Sequence, residues 1–215
     1  MTFLAVLLSY FLGAIPFGVI VGKMRGVDVR AVGSGNIGTT NVWRTLGPGA
    51  GSLVFALDVL KGVAGPLLAR HLVGPSEYSI IALCALVAVL GHTFSLFLKF
   101  KGGKGIATGF GAVLGLNPLL ALGLIAFWGV MLLLSRMISV ASIAACILAP
   151  IAFILWKQPL QFTAVIALFC TVAIVKHIPN VKRILAGTEP KVGRKKYNDG
   201  ENHQQEPAGI IQQNS

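Results

Sequence analysis

Residues 2–21 contain no charged side chain, and about 20 such residues are what a helix needs to cross a hydrocarbon core of about 30 Å. No basic segment precedes the run, whereas Lys23, Arg25 and Arg30 follow it. It therefore reads as a first membrane span with its N-terminus outside, and not as a cleavable signal peptide. Comparable apolar runs recur at 50–72, 78–98, 105–116, 119–134, 138–156 and 160–175. The expected fold is all-α and polytopic, with about seven transmembrane helices. The run 105–116 covers only about 18 Å if helical, so it must be short, tilted or partly re-entrant. Its Gly105, Gly109, Gly111 and Gly115 offer the small-residue spacing that lets helices pack closely.

The chain is 55% hydrophobic and 12% charged, whereas a soluble domain carries about 25% charged residues. A net charge of +11 could signal nucleic acid. The basic residues, however, lie beside apolar runs with few aromatics among them, so anionic lipid and phosphorylated substrate are the expected partners, and nucleic acid is not. With the N-terminus outside, every lysine and arginine except Arg70, Lys157 and the intramembrane Lys61 faces the cytoplasm, as the positive-inside rule requires. The C-terminus is then cytoplasmic. Residues 1–191 are expected to form one membrane-embedded domain, and the polar, Gln/Asn-rich 192–215 a disordered tail. Cys84, Cys146 and Cys170 sit far apart inside apolar runs, as core residues without metal spacing or a disulfide. No metal or cofactor is expected.

Four polar constellations fall on the cytoplasmic side. Lys99-Phe-Lys-Gly-Gly-Lys-Gly105 joins two apolar runs and suits either a positive-inside anchor or a phosphate cradle of glycine amides and lysine charge. It is not a Walker A loop, since Lys104 precedes glycine and Leu98 stands where the first glycine belongs. The first loop carries Ser34, Gly35, Asn36, Thr40, Asn41 and Arg44, neutral hydrogen-bonding groups closed by an arginine that can grip phosphate. An ordinary turn-rich loop with an anchoring arginine would look similar. Arg136, Ser139 and Ser142 recur every three residues at one helix start, as site residues or as a snorkelling arginine with capping serines. His177-Ile-Pro-Asn180 ends the last run, where Pro179 disfavours helical geometry at Ile178. Within the second run, Asp58 and Lys61 share a helical face, and each would cost about 2.5–3.5 kcal/mol alone at mid-membrane. They should pair or line a polar interior.

Together, Ser34 through Arg44, Gly91-His92 through the Lys-Gly-Gly-Lys-Gly stretch, Ser135 to Ser142, and His177-Ile-Pro-Asn180 with Gly187-Thr-Glu-Pro-Lys191 resemble the bacterial acyl-phosphate:glycerol-3-phosphate acyltransferases. The resemblance runs to about Lys191 and implies a seven-span inner-membrane enzyme. Such an enzyme moves an acyl group from acyl phosphate to the 1-hydroxyl of glycerol 3-phosphate, giving 1-acylglycerol 3-phosphate (lysophosphatidic acid) and phosphate. It also implies the enzyme that makes acyl phosphate as a partner. One departure is Ser95, where the family pattern has proline after His-Thr-Phe.

On this resemblance Ser34, Gly35, Asn36, Thr40, Asn41 and Arg44 hold a phosphate. Lys101, Gly102, Gly103 and Lys104 cradle the acyl phosphate, with Lys104 stabilising developing charge. Ser142, His177 and Asn180 align the acceptor, and Arg136 and Ser139 assist binding. The general base is His177 or a substrate phosphate oxygen. No histidine has an aspartate five positions on, and no Ser-His-Asp or Cys-His nucleophile pattern is present, so direct transfer by positioning and charge stabilisation is expected. A carrier or channel for a phosphorylated metabolite is the competing reading, since glycines in short spans and an intramembrane charge pair also fit a substrate pathway.

Overall fold

A computed structural model describes residues 1–193, and its regular elements are all helices. Most of the expected tail, 194–215, lies outside the described residues. The helices are α1 (Thr2–Ala14), α2 (Phe17–Met24), α3 (Thr39–Leu46), α4 (Pro48–Val73), α5 (Tyr78–Thr93), α6 (Ile106–Leu116), α7 (Pro118–Ser135), α8 (Ile138–Leu155), α9 (Leu160–Lys176) and α10 (Ile178–Leu185). One 3-10 turn covers Leu96–Leu98. Among the described residues, five stretches are long and apolar enough to cross a membrane: Thr2–Met24, Pro48–Val73, Tyr78–Leu98, Pro118–Ser135 and Ile138–Leu155. The pair α9 and α10 qualifies as a sixth, bent by 50°. The remaining apolar run is the short helix α6, of 11 residues. The chain is an all-helical, polytopic membrane protein.

The first apolar run is not one straight helix. α1 stops at Ala14, and Pro16, which has no N–H to donate, opens α2. The broken ladder exposes two carbonyls inside the protein. Ser95 Oγ donates to the Ala14 carbonyl at 2.6 Å, and Lys61 Nζ donates to that of Ile15 at 2.8 Å. Ser95 thus earns its place where the family pattern has proline. The chain turns there anyway, with Ser95 at φ −66°, the angle proline would impose. Ser95→Ala is expected to lower stability by about 1–3 kcal/mol, because the buried Ala14 carbonyl loses its donor. Thermal unfolding in detergent measures this, and an unchanged Tm would mean that the hydroxyl is dispensable.

Helix α6 lies against α4 at glycine contacts. A Cβ on Gly62 would stand 2.0 Å from the Thr108 carbonyl oxygen, and one on Gly111 would stand 2.1 Å from that of Val59. Only a missing side chain permits that approach. Asp58 and Lys61 pair at 2.7 Å with side chains 2% and 3% exposed. The three cysteines are free and buried. A small apolar cluster of Val19, Val29, Ile37, Val42 and Val54 packs the first loop and α3 onto α2 and α4. That cluster holds the loop rigidly at one end of the bundle.

Candidate active site

The first loop is organised by Asn41. Its Nδ2 donates to the carbonyls of Val29 at 2.8 Å and Val32 at 3.1 Å, while its Oδ1 accepts from the Ser34 amide at 2.8 Å. The side chain is 1% exposed and its hydrogen-bonding groups are occupied. Asn41, expected to hold a phosphate, is here engaged in shaping the loop that carries Ser34. Asn36 Oδ1 accepts from the Gly38 amide at 3.1 Å and so closes a local turn. Ser34, Gly35 and Arg44 are exposed, and Thr40 is half-buried. Arg44, on α3, lies close enough to Glu189 and Arg183 to feel both charges.

The glycine-rich loop folds back on the end of α5. Gly102 N–H donates to the Thr93 carbonyl and Gly103 N–H to that of His92, both at 3.2 Å. Both amides expected in the phosphate cradle are thus engaged with backbone carbonyls in this structure. A Cβ at Gly102 would meet the His92 carbonyl oxygen at 2.0 Å, so close backbone packing explains the glycine there. Beyond the turn come Lys104 and the first turn of α6, whose leading amides have no helical carbonyl before them. Gly105 opens that helix at φ +80°, where glycine is favoured. Lys101 is exposed.

Lys104 reaches across to the opposite side of the site. Its Nζ donates to Asn180 Oδ1. Asn180 Nδ2 donates to Glu189 Oε1 at 2.8 Å, and Arg183 Nε donates to Glu189 Oε2 at 2.7 Å. Desolvation, aided by Arg183 and Arg44 and opposed by Glu189, pulls the Lys104 amine down to about 8. Burial works to raise the Glu189 pKa, yet hydrogen bonds from Asn180 and Arg183, with the Ser139 hydroxyl close by, hold it below the usual carboxylate range. Ser139 Oγ faces that carboxylate without reaching good hydrogen-bond geometry. His177 Nδ1 lies 2.8 Å from the Ala173 carbonyl. A carbonyl only accepts, so Nδ1 carries the proton and Nε2 keeps an open lone pair. Ser142 is 2% exposed, and its Oγ accepts from Trp128 Nε1 at 3.2 Å. Arg136 is exposed, ends α7 at φ 57°, and its carbonyl accepts from Val192 N–H at 2.8 Å.

The structure thus brings together Lys104, Asn180 and His177, and sets Arg44 nearby. It places Ser142 against Trp128 and Arg136 at the rim. Two residues of the network, Glu189 and Arg183, have no site role in the reading of the sequence, although Glu189 lies within the Gly187–Lys191 motif. A signal existed, because Glu189 is the only carboxylate between Glu77 and Asp199 and it follows a cationic stretch.

Residues 3–187 match the family described as glycerol-3-phosphate acyltransferase. The chain belongs to the glycerol-3-phosphate acyltransferase family. A glycerol-3-phosphate acyltransferase of Rubrobacter xylanophilus is 46% identical over 190 residues, covering 88% of this chain and 94% of the relative. Glycerol-3-phosphate acyltransferase 1 of Deinococcus radiodurans is 42% identical over 192 residues, covering 89% and 96%. The crystal structure of PlsY (YgiH), an integral membrane glycerol 3-phosphate acyltransferase in its glycerol 3-phosphate form, superposes with a TM-score of 0.86 at 38% identity, over 89% of this chain and 96% of that one. Its lysophosphatidic acid form gives 0.83 at the same identity, over 89% and 95%. The chain is an integral membrane glycerol-3-phosphate acyltransferase. Membership in that family displaces the carrier reading.

Lys104 is expected to set a basic limb in the acyltransferase's pH profile. Its amine is charged below about pH 8 and neutral above, so kcat/KM is expected to fall as pH rises through that value. Lys104→Arg stays charged throughout and should lose that limb even where its overall rate is lower. A limb unchanged in Lys104→Arg would assign it to another group.

Proposed function

We propose that this acyltransferase takes its acyl group from acyl phosphate and delivers it to the 1-hydroxyl of glycerol 3-phosphate. The hydroxyl oxygen bonds to the acyl carbonyl carbon, the bond from that carbon to the phosphate oxygen breaks, and phosphate leaves with the electron pair. The products are 1-acylglycerol 3-phosphate and inorganic phosphate. The observation that carries the reading is the meeting of Lys104, Arg44 and Arg183 around the single carboxylate Glu189. Two phosphate-bearing substrates need surplus positive charge in one place, and a mixed anhydride needs positioning more than a strong nucleophile.

In this reading Lys104 and the first turn of α6 hold the donor phosphate, while Ser34 and Arg44 bind phosphate from the facing loop. Asn180 keeps the lysine aimed. His177 Nε2 is available to take the hydroxyl proton, and a donor phosphate oxygen is the other acceptor. His177→Ala separates them, since loss of most kcat with KM preserved supports the imidazole and an intact kcat removes it. Residues 1–191 act as one domain in the bacterial inner membrane, N-terminus outside and C-terminus inside. The site then faces the cytoplasm, where the enzyme that makes acyl phosphate supplies it. With Lys61 inside a span, only Arg70 and Lys157 among the lysines and arginines fall on the outer side, which supports that orientation.

The test uses detergent-purified protein with palmitoyl phosphate and glycerol 3-phosphate, following phosphate and lysophosphatidate together, then acyl-CoA in place of the phosphate donor. Equimolar products from acyl phosphate alone are expected. Product from acyl-CoA alone would overturn the donor assignment.

A further inference from the structure

The buried Asp58–Lys61 pair is usually the kind of feature that merely holds helices together, yet here a third group leans on it. His92, near the end of α5, is 4% exposed, and its Nδ1 lies 3.7 Å from Asp58 Oδ1. That nitrogen is buried and has no hydrogen-bond partner. The other edge of the ring meets the glycine loop: a Cβ added at Gly103 would stand 2.3 Å from His92 Nε2. Gly103 has no left-handed backbone that would exclude a side chain on its own account. What excludes one is the imidazole. The ring therefore fills the space between the Asp58 carboxylate and the residue just before Lys104. It cannot back away, because Asp58 is itself pinned by Lys61, which also donates to the Ile15 carbonyl at the break between α1 and α2.

We propose that His92 is a positioning residue for Lys104. Backed by the Asp58–Lys61 pair, its ring sets the height of the Gly102–Gly103 turn and so holds the Lys104 amine against Asn180. The proposal deepens the reading of Lys104 as the donor-phosphate group and rests on it for the kinetic arm of its test. A displacement of about 1 Å in such a group is enough to lower the rate about 100-fold. His92 itself touches loop backbone and no reacting atom.

The experiment is a cycle of four full-length proteins in detergent: wild type, His92→Ala, Gly103→Ala and the double variant. Gly103→Ala should lose about 100-fold in kcat/KM for acyl phosphate, as the new methyl lifts the loop off the ring. His92→Ala alone should lose about 10-fold, and the double variant should recover at least about 10-fold over Gly103→Ala, since contacting residues are non-additive. A double loss equal to the product of the single losses, or a Gly103→Ala protein with wild-type activity, overturns the proposal. A second measurement needs no activity: the pH midpoint of Lys104 labelling by an amine-reactive reagent, read by peptide mass. Wild type should react with a midpoint of about 8, and His92→Ala should move it up toward the ordinary lysine range. An unmoved midpoint in folded His92→Ala overturns the proposal. Should that variant not purify as a monodisperse species, His92→Gln replaces it in both arms with the same expectations. Wild type inactive with acyl phosphate would defeat the donor reading, while the labelling arm would still judge His92.

Discussion

Lys104→Ala is expected to lower kcat/KM with acyl phosphate by about 10²–10³-fold, the loss seen when one preorganised group is removed from developing charge. The reason is geometric as much as electrostatic. The amine is half-buried at the start of α6 and bonded to Asn180, whose other end is fixed by Glu189. It therefore needs little reorganisation when a phosphate arrives between them. Removing it also leaves the Asn180 carbonyl without its donor, so the effect exceeds that of deleting a surface lysine such as Lys101. Steady-state rates with both substrates varied, on protein shown to be monodisperse, measure the loss. Turnover within a fewfold of wild type would remove Lys104 from the chemistry.

Asp58→Leu should be among the most destabilising single substitutions in the chain. Its side chain is 2% exposed and paired at 2.7 Å, so the change strands the Lys61 ammonium in an interior where only the Ile15 carbonyl and the face of the Phe17 ring remain to it. Breaking a buried pair from one side costs about 3–5 kcal/mol. Replacing both partners, Asp58→Leu with Lys61→Met, should cost much less, because no uncompensated charge is left behind. Denaturation in mild detergent compares the two. Equal losses would show that the pair is held for reasons other than mutual charge. The double variant should still be less active than its stability implies, since His92 loses the carboxylate behind it.

Much of this was legible from residue order alone. Apolar runs of span length dictate helices, and charge asymmetry places the polar loops on one side. Lys104, His177 and Asn180 stood out because cations, imidazole and amide at the ends of apolar helices have few structural uses. What was not legible depends on contacts between residues distant in the chain. Asn41 reads as one more amide in a ligand loop until its three bonds to Val29, Val32 and Ser34 are seen. Gly102 and Gly103 read as ligand amides until His92 and Thr93 are found beneath them. The break after Ala14 could have been inferred from Pro16, but not that Ser95 and Lys61, far along the chain, would take up the carbonyls it frees. Glu189 was visible as a rare carboxylate, and its role needed the return of the chain over α8 to be recognised.

That return has a consequence for how the protein is made. Synthesis proceeds from the N-terminus, and the residue that holds both Asn180 and Arg183 is Glu189, among the last of the described chain to leave the ribosome. The Val192 amide then fastens the segment to the α7–α8 turn. Without those bonds the three cations of the site, Lys104, Arg44 and Arg183, face one another without their shared anion. A chain ending before Glu189 is therefore expected to insert its helices and yet show no turnover in the steady-state assay.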